Sequence, residues 1–298
     1  MLIQEEILRL KEERQAIILA HNYQPDEVQD IADLTGDSLE LSRAAATMDG
    51  DIIVFCGVDF MAETAAVISP DKMVLLPSQD ACCPMAEMIT ADDLKLVKSR
   101  YPDASVVCYV NTSAEVKAES DICCTSSNAV KVVNSVKEDR VLFVPDRNLG
   151  LYAQRFTKKR ILPWDGFCIV HDRITPDQVH EAQALYPGAI VLVHPECRPE
   201  VIDLADHVAS TSGIIRHVCN SGEKEFIIGT EIGILHRLKR DCPTKKCYPL
   251  SREAVCWNMK KTDLKKVRDA LVSLQPRITI PEKIAERARG AIERMLAL

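Results

Sequence analysis

Three cysteines, Cys83, Cys168 and Cys256, recur at intervals of 85 and 88 residues. Each closes one copy of a longer pattern, and a threonine expected to open a helix follows seven, seven and six residues later at Thr90, Thr175 and Thr262. One thiol per copy, brought to a common point, offers a metal three soft ligands and leaves one coordination position open. Such a donor set suits zinc or an iron–sulfur cluster. With a cubane cluster, the iron that no protein group holds is free to act as a Lewis acid. Cys82 stands beside Cys83, but only Cys83 has the spacing to Thr90, so Cys83 is the expected ligand and Cys82 its packed neighbour.

A second set of residues is polar. The runs AIILAHNY (16–23), ASVVCYVN (104–111) and GAIVLVHPE (188–196) are one element written three times, an apolar strand with a polar end. Parallel α/β sheets bind ligands at the carboxyl ends of their strands. This singles out His21, Asn22 and Tyr23, then Tyr109 and Asn111, then His194 and Glu196. Small polar loops come next, GDS (36–38), TSSN (125–128) and STSG (210–213). They put Ser38, Ser126 and Thr211 near helix starts, where backbone N–H groups and hydroxyls make anion sites. Together the two sets describe a pocket for a small, multiply anionic ligand.

The elements that must carry these residues alternate along the chain. Strand-like runs are AIILA (16–20), DIIVFC (51–56), KMVLL (72–76), SVVCYV (105–110), RVLFV (140–144), AIVLV (189–193), EFIIG (225–229) and ITI (278–280). Near-continuous apolar, β-branched runs fit parallel strands buried on both faces. Thr90 and Thr175 precede acidic first turns as helix caps, and Pro25 and Pro176 suit first helical positions. The expected fold is α/β: three similar parallel-sheet domains in a pseudo-threefold arrangement around a central site. The boundaries expected are 1–83 with 262–298, 84–168, and 169–261. The two C-terminal helices are expected to pack back on the first unit. Asp59, Asp146 and Glu231 recur in the third element of each unit, either orienting the site or capping helices, with capping expected for Asp59.

Composition excludes several classes. The 298 residues carry a net charge of −7 and no basic run, which speaks against nucleic acid. No apolar run reaches membrane-spanning length. The charged start MLIQEEILRLKEERQ is neither a signal nor a transit peptide, so a cytoplasmic location is expected. Twelve cysteines are many for that compartment. Cys56, Cys108, Cys197 and Cys219 fall outside the repeat and read as small buried hydrophobes. Cys242 and Cys247 flank a short turn and could form a surface disulfide or bind adventitious metal. His207 and His217 belong to no motif. His171, three residues after Cys168, either supports the cluster or substrate by a hydrogen bond or has no such role.

The segments AHNYQ (20–24), GDS (36–38), CPMA (83–86), YVN (109–111), CTSSNA (124–129), PDRNLG (145–150), GFCIVH (166–171), HPEC (194–197), GTEIG (229–233) and AVCWNMKK (254–261) together resemble the quinolinate synthase family. The resemblance covers nearly the whole chain. It implies condensation of iminoaspartate with dihydroxyacetone phosphate in de novo NAD biosynthesis, a transferase reaction giving quinolinate, phosphate and water. It implies one 4Fe-4S cluster on Cys83, Cys168 and Cys256 with one open iron. It places substrate contacts at His21, Ser38, Tyr109, Val110, Asn111, Ser126, His194, Pro195, Glu196 and Thr211. Glu196, Tyr23 and Tyr109 are the candidates for proton transfer, and His21 and His194 for polarising substrate oxygens. The implied partners are these small molecules, with functional coupling to an iminoaspartate-producing enzyme and neither nucleic acid nor membrane. The diphthamide-forming enzymes resemble the same one-cysteine-per-domain plan, but the polar strand ends favour a small diacid. A cluster-bearing sensor is the other alternative, and the sequence offers it no output surface.

Overall fold

The computed structural model describes residues 2–298. The first unit contributes β1 (Ala16–His21), β2 (Leu34–Gly36), β3 (Ile52–Cys56) and β4 (Met73–Leu75). The second contributes β5 (Ala104–Tyr109), β6 (Ile122–Cys124), β7 (Arg140–Val144) and β8 (Arg160–Pro163). The third contributes β9 (Ile190–Val193), β10 (His207–Val208), β11 (Glu225–Gly229) and β12 (Lys246–Pro249). Each set forms its own four-stranded sheet in the same order, β2-β1-β3-β4, β6-β5-β7-β8 and β10-β9-β11-β12. Every neighbouring pair within these sheets is parallel. The chain is therefore α/β with three similar parallel sheets.

The central strand of each sheet is apolar because helices cover both of its faces; all six residues of β1 are buried. The short flanking strands β2, β6 and β10 went unread in the sequence, since two or three residues leave no periodicity. Their register is set by another repeated device. An aspartate fifteen residues downstream accepts from a backbone N–H of each central strand: Asp33 from Ile18, Asp121 from Val106 and Asp206 from Val191. In return the aspartate N–H donates to the carbonyl of the same strand residue. The strand N–H that the short partner cannot reach is thereby satisfied.

Several expectations shift. ITI (278–280) forms no strand; Ile278 N–H donates to the Val74 carbonyl beside an isolated antiparallel bridge from Arg277 to Leu75. Thr262 does not open a helix, because Asp263 is the cap of Leu264–Ser273, accepting from Lys266 N–H at 2.8 Å. Pro25 is the cap residue of Asp26–Asp30, one place before the first turn, whereas Pro176 does occupy the first helical position after Thr175. Cys242 pairs with Cys219 in a disulfide, not with Cys247, which stays free. The partner lies on a neighbouring helix and the pairing is invisible in linear spacing.

The helix Leu264–Ser273 packs on Ile3–Glu13 against the first sheet, as expected. The last helix, Glu282–Leu296, lies instead mainly against Ala114–Ala118 and β6 of the second unit, touching Asp59–Ile68 of the first. Its buried Ala288, Ala291, Ile292 and Met295 join one apolar core that runs through both units. The third unit has two cores of its own, one on each face of its sheet. Much of its contact with the first unit is polar. Arg237 donates to Asn22 Oδ1 and the Thr35 carbonyl, Gln29 donates to the Gly233 carbonyl, and Ser212 donates to Glu40.

Candidate active site

The carboxyl ends of β1, β5 and β9 meet at one cavity. His21, Tyr23, Tyr109, Asn111, His194 and Glu196 all line it. The first and third tips share a turn. His21 Nδ1 accepts the Tyr23 N–H at 3.2 Å, and His194 Nδ1 accepts the Glu196 N–H at 3.3 Å. An imidazole nitrogen that accepts cannot carry the proton, so Nε2 bears it in both rings. His194 Nε2–H then donates to Ser126 Oγ at 3.2 Å. Burial holds both imidazoles neutral, pushing each down to about 3; the Lys260 charge adds to the effect at His21.

The loops after the short strands supply the second wall. Ser38 and Thr211 are the first residues of the helices Ser38–Thr47 and Thr211–Asn220, capped by Asp37 and Ser210. Ser126 precedes the helix Ala129–Ser135, whose cap is Asn128. All three line the cavity, with Asp37 and Thr125 beside them. Among the described residues no lysine or arginine lines it. An anion here would meet N–H groups, hydroxyls and neutral imidazoles. The buried Asn111 Oδ1 has no hydrogen-bond partner within the protein, an acceptor left for a ligand donor.

Cys83, Cys168 and Cys256 line the same cavity and none is in a disulfide. Each thiol faces backbone N–H groups of its own following turn: Met85 and Ala86 for Cys83, His171 for Cys168, Asn258 and Met259 for Cys256. Burial pushes all three thiols up, and the neighbouring sulfurs add to this at Cys83 and Cys168. Such thiols ionise when a cation takes them, and N–H groups aimed at sulfur are what an iron–sulfur cluster is stabilised by. The donor set therefore fits the cluster expected from the sequence. Cys82 is not among the lining residues. A tighter group, Cys168, His171 and Glu196, has ligand atoms within 4.8 Å of one another, but His171 and Glu196 are engaged with each other and with their neighbours.

That engagement forms a buried chain of polar contacts. The Tyr109 hydroxyl donates to Glu196 Oε1, and Glu196 Oε2 lies 2.6 Å from His171 Nδ1. His171 Nε2 is 2.7 Å from Thr230 Oγ1, Thr230 is 2.7 Å from the Tyr23 hydroxyl, and Tyr23 is 2.9 Å from Thr211. His171 also stacks on His194 at 4.5 Å. Burial works against charge on Glu196, but His194, His171 and the Tyr109 hydroxyl together hold its carboxyl below the usual range. Burial pushes both phenols well up, reinforced at Tyr109 by the Glu196 charge, so Tyr23 and Tyr109 stay protonated. One anionic carboxylate and two neutral phenols belong to one chain, a division of acid and base made by environment.

Val110 and Pro195 do not line the cavity; both are buried behind the residues that flank them. Both lie beyond their strands, β5 ending at Tyr109 and β9 at Val193, in the turns that carry the flanking residues into the cavity. Thr230 was missed as a functional residue, although GTEIG contains it, because only the fold brings it between His171 and Tyr23. Val58, Phe60, Met61, Met85 and Met259 make an apolar wall that the sequence reading also left out. No helix among the described residues is long and apolar enough to cross a membrane.

Comparison with known proteins agrees with this geometry. The family model NadA, described as quinolinate synthetase A protein, matches residues 5–297. A quinolinate synthase of Methanoregula boonei is 73% identical over 297 residues, which is 100% of this chain and 98% of that protein. The quinolinate synthase of Desulforudis audaxviator is 58% identical, covering 98% of this chain and 97% of its own. That of Dehalococcoides mccartyi is 55% identical, covering 99% and 98%.

Proposed function

The chain belongs to the quinolinate synthase family, whose enzymes condense iminoaspartate with dihydroxyacetone phosphate into quinolinate, phosphate and two waters, and from that premise we propose how its cavity performs the reaction. The observation that carries the reading is the shared cavity: three polar strand tips and three free thiols from three sheets line one space. In class the reaction is a transfer, since the triose carbon chain is joined to the imine as phosphate leaves.

The phosphate of the triose is held by N–H groups and hydroxyls at the helix starts around Ser38, Ser126 and Thr211. His21 and His194, neutral and carrying their protons on Nε2, donate to carboxylate or carbonyl oxygens. Asn111 Oδ1 accepts from the imine nitrogen, which fits its lack of any partner in the protein. Glu196 is the base that removes carbon-bound protons, and Tyr109 steadies its charge. Tyr23 and Tyr109 are the acids, their protons replaceable along the chain through Thr230 and His171. The apolar wall of Phe60, Met61 and Met85 keeps water from the reactive imine.

Cys83, Cys168 and Cys256 would hold a 4Fe-4S cluster, which when bound supplies a Lewis-acid position for a substrate hydroxyl or carboxylate oxygen. A short-lived imine substrate favours coupling to the enzyme that produces it, and a cluster held on three reduced thiols favours the cytoplasm. The test is anaerobic reconstitution with iron and sulfide, followed by ultraviolet detection of quinolinate from the two substrates. The wild-type chain is expected to bind iron and turn over, and Cys168→Ala to lose both. An unchanged brown colour and unchanged turnover in that variant would overturn the ligand assignment.

A further inference from the structure

Each cluster-facing cysteine is tied by its backbone to a buried or half-buried carboxylate of the same unit. Cys83 N–H donates to Asp59 Oδ1 at 3.2 Å, Cys168 N–H to Asp146 Oδ2 at 3.1 Å, and Cys256 N–H to Glu231 Oε1 at 3.2 Å. Each tie spans a similar length of chain, 24, 22 and 25 residues. It runs from the residue ending the third strand region to the loop after the fourth. The same carboxylates also hold the start of the segment that follows them: Asp59 accepts from Phe60 N–H, Asp146 from Leu149 N–H and Glu231 from Gly233 N–H.

We propose that Asp59, Asp146 and Glu231 are positioning residues for the cluster, latching the three cysteine loops so that their sulfurs converge. The proposal rests on the three cysteines being the ligands. A backbone N–H bonded to a fixed carboxylate cannot swing, and the thiol of the same residue, three bonds away, inherits much of that constraint. Close approach elsewhere serves the same loops. A Cβ on Gly166, two residues before Cys168, would come within 2.5 Å of the Pro145 carbonyl oxygen. One on Gly233 would come within 2.8 Å of Glu231 Oε2 and 2.7 Å of Lys260 Nζ. The latches differ in a testable way. Asp59 takes both of its bonds on Oδ1, so Asn can reproduce them. Asp146 takes one bond on each oxygen. Glu231 does likewise and also pairs with Lys260 at 3.0 Å. An amide at either position turns an NH2 toward an N–H donor.

The experiment reconstitutes the full chain anaerobically and follows loss of visible absorbance and release of iron to a chelator, with Tm of the apo chain measured in parallel. Asp59→Asn is expected to hold its cluster like wild type. Asp146→Asn, Glu231→Gln and Asp59→Ala are expected to release iron about tenfold to a hundredfold faster, the range typical of lost support behind a metal ligand. Thr90→Ala is the control, because Thr90 caps a helix through Asp93 N–H and bonds no cysteine; it is expected to lower Tm without changing iron release. If the wild type holds its cluster and the latch variants release iron no faster than Thr90→Ala at matched Tm, the latch fails while the ligand assignment stands. If the same release rate appears in Asp59→Asn as in Asp146→Asn, the oxygen-by-oxygen account fails. A wild-type chain that takes up no iron removes the cluster reading and the latch with it.

Discussion

The first and third units bring their central strands to the cavity with the same turn, a histidine whose Nδ1 accepts the N–H two residues on. They differ in what that second residue is. In the first unit it is Tyr23, a neutral phenol between two threonine hydroxyls. In the third it is Glu196, a carboxylate facing His171 and Tyr109. The turn, the histidine tautomer and burial are shared; Asn22 is exchanged for Pro195 within the turn, and the side chain that faces the cavity after it changes with its surroundings. The comparison teaches that a repeated scaffold acquires an acid and a base by substituting one equivalent position and leaving the frame alone. The second unit departs further, with Tyr109 and Asn111 at its tip and no histidine.

The largest effect should come from erasing the difference on the third side. Glu196→Gln keeps size and removes the base, and kcat is expected to fall about 10²- to 10⁴-fold, with iron content unchanged. Normal turnover in a fully loaded variant would leave Glu196 without its role. On the first side, Tyr23→Phe leaves Thr211 and Thr230 without their shared partner. We expect kcat to drop by about one to two powers of ten, and apo stability to fall by about 1–3 kcal/mol in chemical denaturation.

What the two sides share is checked by pH. His21 and His194 sit at about 3 in the folded chain, below the ordinary value of 6.5. Between those values the unfolded chain binds the protons that the folded chain excludes. Stability is therefore intact above pH 6.5 and declines as pH falls toward 3, at up to about 1.4 kcal/mol per pH unit for each histidine. Denaturant titrations of the apo chain between pH 6.5 and 5 should show this slope, and His21→Asn should take away about half of it. A slope unaffected by the substitution would mean that His21 is not held neutral. The smallest effect is expected at Ser126, which accepts from His194 Nε2. Ser126→Ala should raise KM about fivefold to tenfold with kcat nearly constant, the size of one hydrogen bond.

Much of this was legible in sequence because repetition made it so. Cys83, Cys168 and Cys256, and the tips at His21, Tyr109 and His194, stand at matching places in three copies, and matching places in a repeated fold face a common centre. Where a contact joins different copies, spacing carries no trace of it. Thr230 gains its place between His171 and Tyr23 only when the third sheet meets the first. Within one copy the same holds where the partners are far apart in the chain: Cys219 and Cys242 pair because two helices of the third unit lie side by side. Asp33, Asp121 and Asp206 were readable as a further repeated marker, fifteen residues after equivalent strand positions, but an isolated aspartate in a loop draws no notice without knowing which N–H it serves. ITI (278–280) shows the reverse failure: β-branched composition marks a segment that lies extended, not one that finds a sheet to join.

The placement of Glu282–Leu296 has a consequence for how the polypeptide matures. Strand β1 begins an apolar core that extends into the second unit, and Ala288, Ala291, Ile292 and Met295 are among the side chains that seal it. A nascent chain leaving the ribosome exposes that unsealed seam throughout translation of the third unit, whose own two cores can close without waiting. The oldest part of the chain is thus completed last.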